Sequence, residues 1–67
     1  MEVRQRLAQN VQRERKAKGW SQEELADRAQ LHRTYISGVE RGVRNPTVTV
    51  VEKFAVALET TAAKLIA

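Results

Sequence analysis

Two short amphipathic segments joined by a turn, within Trp20 to Gly42 (WSQEELADRAQLHRTYISGVERG), constrain this chain more than any other feature. Ser21 followed by Glu24 is a capping-box pattern, in which each side chain satisfies a backbone donor at a helix start. Trp20 and Leu25 stand at the two positions of a hydrophobic staple. A helix is therefore expected from about Gln22, burying Leu25, Ala26 and Ala29 and turning Glu23, Glu24, Asp27 and Arg28 elsewhere. The turn falls at Gln30 to His32.

The second segment repeats the staple with Leu31 before the cap and Ile36 at the fourth helical position, leaving His32, a poor capping residue, at the cap itself. Advancing about 100° per residue from Arg33, the residues Ser37, Arg41, Thr34 and Gly38 fall within roughly 140° of one another. Tyr35, Ile36 and Val39 fall on the opposite side. One face packs and the other, polar and partly basic, is presented. No core requirement explains the presented face. Gly42 is the expected left-handed residue that stops the helix.

SQEELA, a turn, then HRTYISGVERG followed by RNP resembles the phage-repressor-like, or xenobiotic-response-element (XRE), helix-turn-helix family. Within it, RTYISGVERG resembles in particular the controller proteins of restriction-modification systems. The resemblance runs from about Leu7 to Ile66. It implies an all-α, five-helix, lambda-repressor-like DNA-binding domain over residues 1–67, with the motif at about 21–41. It also implies a salt bridge between Arg15 and Glu40, the glutamate before the helix-stopping glycine. Two positions depart from the family pattern. Glu14 stands where an apolar residue is usual, and Gln30 stands in the turn where glycine commonly supplies a positive φ.

Outside the motif, Val3, Leu7 and Val11 recur every four residues and predict a first helix over Glu2 to Lys18. That stripe continues onto Arg15. A charge on a core-facing stripe needs a partner, or else its stem covers apolar surface while its head stays in water. The run RERKAK at 13–18 reads as a solvated face. Val43 to Pro46 is a loop, and Thr47 caps the next helix. TVTVV at 47–51 alternates like a strand, but Val50, Val51, Phe54, Ala55 and Leu58 keep helical spacing over a longer window. Thr61 would cap a last helix, Ala62 to Ile66. By resemblance that helix pairs two subunits through Leu65 and Ile66, although both could instead close the monomer core.

The chain has 67 residues, so its core is small and self-association is expected on physical grounds. It has no cysteine and one histidine, a poor basis for a zinc site. No glycine-rich phosphate loop, catalytic carboxylate pair or Cys/His pair suggests an enzyme. Charges at Glu2, Arg4 and Arg6 interrupt any leader or membrane span, which points to a cytoplasmic protein. A net charge of +4 favours an anionic partner, since clustered Lys and Arg release counterions on meeting phosphates.

The functional expectation is a homodimeric regulator that reads double-stranded DNA with its second motif helix. Arg33, Thr34, Tyr35 and Ser37 are the base-contact candidates. Gln22, His32, Arg41, Arg44, Asn45 and Thr47 are the phosphate candidates. Gly38 either admits close approach of the duplex or reads nothing. No cofactor, metal or small-molecule ligand is expected. An antitoxin-like module that binds a protein partner would share the same fold.

Overall fold

A computed structural model describes residues 2–67. Five helices follow one another without a strand among the described residues: α1 (Val3–Ala17), α2 (Gln22–Ala29), α3 (Arg33–Glu40), α4 (Val48–Leu58) and α5 (Ala62–Leu65). α2 and α3 form the helix-turn-helix pair. α4 closes the inner side of α2, and α1 crosses α3, α4 and α5.

The stripes expected from spacing converge on one core of Leu7, Val11, Leu25, Ala26, Ile36, Val39, Val51, Phe54, Ala55, Leu58 and Leu65. Phe54 is fully enclosed. Burial of this kind, rather than helix propensity, holds such short helices together. α2, for example, is only 8 residues long.

The helix starts follow the capping chemistry with one correction. Ser21 Oγ accepts from Glu24 N at 3.0 Å, so half of the capping box forms. The reciprocal arm does not, because the Glu24 carboxylate accepts from Arg28 Nε at 2.7 Å one turn further along. Thr47 Oγ1 accepts from Val50 N, and Thr61 Oγ1 accepts from Lys64 N. Thr47 thus starts a helix, and the alternating β-branched residues at 47–51 form no strand.

The helix ends are uniform in bonding but not in residue type. At the end of α2, Leu31 N donates to Ala26 O at 2.8 Å and Gln30 N to Asp27 O at 3.2 Å. At the end of α4, Thr60 N donates to Ala55 O and Glu59 N to Val56 O. Both are Schellman arrangements, in which a left-handed residue lets its own amide and the next one cover orphan carbonyls. Gly42 fills this role after α3 with φ +75°, whereas Gln30 and Glu59 do so with side chains and φ 57°. The turn that lacks the usual glycine therefore keeps the ordinary backbone path and bears local strain. Glu59 also anchors its loop to α1 through Lys18 Nζ at 2.9 Å. That hydrogen bond holds the Glu59 carboxyl below its ordinary range.

At the C-terminal end, Asn10 of α1 is buried and clamps α5. Its Nδ2 donates to Leu65 O at 2.8 Å and to Ala67 O at 3.1 Å. Its Oδ1 accepts from Arg13 Nη2 at 2.7 Å. Alongside, Arg6 Nε donates to Ile66 O at 3.0 Å. Leu65 is 1% exposed and completes the monomer core, the second of the two roles open to it in the sequence. Ile66, 40% exposed, is the member of that pair left on the surface.

Candidate nucleic-acid interface

α3 is held from below by a charge network. Glu40 Oε2 accepts from Arg15 Nε at 2.7 Å, and its Oε1 accepts from Arg15 Nη2 at 3.0 Å and from Gln22 Nε2 at 3.1 Å. Arg15 Nη1 also donates to Trp20 O at 2.7 Å. The side chains are 10% and 2% exposed, and the pair is bidentate, the geometry in which a desolvated ion pair recovers most of its cost. Hydrogen bonding to Glu40 holds the Arg15 guanidinium still more firmly protonated than usual. One carboxylate thus joins α1, the start of α2 and the end of α3. Trp20, half-buried at the same junction, has the Arg28 guanidinium carbon 4.2 Å from its ring centre.

Gln22, expected at a phosphate, donates one amide N–H to Glu40 Oε1 at 3.1 Å. Its nearest role is to brace α3.

The opposite side of α3 carries what the sequence places there. Arg33 and Thr34 are exposed, Ser37 is half-buried, and neither Arg33 nor Thr34 has a side-chain hydrogen bond or ion pair with another described residue. His32 occupies the N-cap position with extended backbone and makes no side-chain cap bond, unlike the caps of α2, α4 and α5. The first amides of α3 therefore lack a side-chain acceptor, and the helix dipole adds partial positive charge there.

Arg41 Nε donates to Ser37 O at 3.3 Å, which folds this side chain back along the helix. Asn45 is exposed in the following loop. Thr47 Oγ1 accepts from Val50 N in capping α4, and the residue is exposed.

Tyr35 is half-buried and packs against the core, while the Arg44 guanidinium lies 5.7 Å from its ring centre. Gly38, placed by angle on the presented face, is not open to approach. It is buried, and the Arg44 side chain crosses it. Arg44 was legible as a basic residue near a helix start, but its return over α3 was not. No local pattern announces a contact between a loop side chain and a missing Cβ.

Asn10 was also missed, although a signal existed. It stands three residues after Leu7 and one before Val11, so a polar group there lands on the buried side of α1 and requires partners. A third feature outside the presented face is an open groove between α2 and α4, lined by Ala29, Val48, Thr49, Glu52 and Val56, among others.

Two helices at a tight turn, the second offering an unpaired polar face, define a helix-turn-helix domain. The chain belongs to the helix-turn-helix family, which matches it over residues 11–65. It is 44% identical over 66 residues to control protein C.SmaI of Serratia marcescens, covering 98% of this chain and 79% of that protein. Among solved structures, a hypothetical transcription factor from Neisseria superposes with a TM-score of 0.95 at 45% identity, over 98% of this chain and 76% of that one. The restriction-modification controller protein C.Esp1396I, solved as a tetramer in complex with its natural 35 base-pair operator, superposes with a TM-score of 0.88. Its identity is 34%, over 97% of this chain and 86% of that one.

Proposed function

We propose that this protein is a transcriptional regulator that binds double-stranded DNA sequence-specifically by inserting α3 into the major groove. The observation that carries the reading is the division of α3. Its inner side is fixed by Glu40, while Arg33 and Thr34 at its start stand exposed and unbonded. Helix-turn-helix proteins dock with the N-terminal residues of this helix against base edges. Arg33 suits guanine, whose O6 and N7 accept a bidentate guanidinium. Thr34 can offer a hydroxyl to a base or a methyl to thymine, and Ser37 lies one turn further along. His32, Arg41, Arg44 and Asn45 supply phosphate contacts. That C.Esp1396I was solved on its operator supports duplex binding by a fold of this shape.

The regulator acts as a homodimer on a pseudo-palindromic site, with exposed Ile66 at the subunit contact. Two such recognition helices lie about 34 Å apart when they enter successive grooves on one side of the duplex. No helix among the described residues is long and apolar enough to cross a membrane. A site of action in the cytoplasm, beside the DNA, is part of the proposal.

The test uses sites selected from a random duplex pool. Arg33→Ala is expected to lose roughly 1 to 3 kcal/mol of discrimination between selected and random DNA. Arg44→Ala is expected to weaken both alike and to lower the salt dependence by about one phosphate contact. Equal losses of Arg33→Ala on both DNAs would remove its assigned role. Absence of salt-dependent binding by the parent protein would favour a protein-interaction module instead.

A further inference from the structure

Gly38 lies inside an 8-residue helix, where glycine is less favourable than alanine. Its φ is not left-handed, so backbone conformation does not require it there. What requires it is Arg44. A Cβ built on Gly38 would lie 2.6 Å from Arg44 Cγ, 3.2 Å from its Nε and 3.4 Å from its Cδ. Carbon atoms do not approach to the first of these distances, so any side chain at 38 must evict the Arg44 stem. The loop is secured at the same place, since Val43 N and Arg44 N both donate to Gly38 O, at 3.0 and 3.2 Å. The backbone thus delivers Arg44 to Gly38, and the missing Cβ lets its side chain lie flat across α3 until its guanidinium reaches the Tyr35 ring. No carboxylate among the described residues pairs with that guanidinium, so its charge remains available to an anion.

We propose that Gly38 is a positioning residue for DNA binding: by omitting a side chain it seats Arg44 across α3, with Tyr35 beneath the guanidinium. The basic group is then ordered before the duplex arrives. A guanidinium held over an aromatic face by its charge leaves its N–H groups free for phosphate or base oxygens, and ordering in advance lowers the entropic cost of the contact. This inference rests on the DNA-binding reading of α3 but concerns a residue that touches no DNA in it.

The experiment is a double-mutant cycle of Gly38→Ala and Arg44→Ala, each measured for unfolding temperature and for affinity on the selected operator. Proton NMR of the free protein reads the proximity of the Arg44 methylenes to the Tyr35 ring. Gly38→Ala is expected to remain folded, with a midpoint equal to or above the parent's, because alanine favours helix and the displaced side chain is exposed. It is expected to lose the Arg44–Tyr35 proximity and to bind operator about tenfold more weakly, the order of one charge-assisted hydrogen bond. In the Arg44→Ala background, Gly38→Ala should cost nothing more.

Additive losses would show that the new methyl acts on DNA or backbone directly, and would overturn the proposal. So would an unchanged affinity, or misfolding of Gly38→Ala in both backgrounds. The NMR contact is read without DNA, so failure of the seating is separable from failure of the DNA reading, in which the parent and Arg33→Ala would bind all duplexes alike.

Discussion

The two sides of α3 differ in how completely their polar groups are satisfied. Below, Glu40 accepts three hydrogen bonds from Arg15 and Gln22 while almost wholly out of water. Above, Arg33 and Thr34 make none with the rest of the described chain. A buried charge must be matched, because an unmatched one costs several kcal/mol (order of magnitude), whereas an exposed charge is matched by water at little cost. The helix is thus rigid where it is hidden and unsatisfied where it is shown. Rigid attachment beneath an open polar face lets a duplex exchange its own groups for water without first reordering the protein.

The strongest way to break this contrast is to remove the lower side. Glu40→Ala leaves the Arg15 guanidinium buried beside Trp20 O without its carboxylate. It is expected to lower stability by roughly 3 to 5 kcal/mol in urea unfolding. A loss below about 1 kcal/mol, the value of an exposed pair, would mean that water already reaches the bridge. A smaller effect of opposite sign is expected at the turn that sets the two motif helices against each other. Gln30→Gly relieves a left-handed backbone at φ 57° and should stabilise by about 1 kcal/mol, read as a raised unfolding midpoint. Destabilisation there would show that the Gln30 side chain contributes contacts of its own. Smallest of all, Arg33→Ala should move stability by no more than about 0.5 kcal/mol while it lowers base discrimination by roughly 1 to 3 kcal/mol. A large loss of stability would place Arg33 on the structural side of the helix.

Local chemistry made much of this readable. Ser21, Thr47 and Thr61 mark helix starts because a hydroxyl before an apolar repeat has one obvious use, and Gly42 marks a stop for an equally local reason. The division of α3 into packed and presented faces follows from its period. The partner of Arg15 came from family resemblance, since periodicity could place a charge on the core side but could not say what meets it.

Other features depend on contacts between distant segments. Glu59 adopts a left-handed turn that glycine would usually mark, and Asn10 clamps carbonyls more than fifty residues away. Leu65 was legible as apolar, but whether it faced its own core or a second subunit depended on where α1 lay. Arg44 over Gly38 is the same kind of case, with two residues ordinary in sequence and specific only when folded together.

The central claim is that the upper face of α3 is where the duplex sits. Amide chemical-shift mapping during titration with a selected operator tests it most directly. The account predicts the largest changes at residues 32–37 and at Arg44, with the groove between α2 and α4 nearly silent. Changes concentrated on Ala29, Val48, Glu52 and Val56, with Arg33 and Thr34 unmoved, would contradict it.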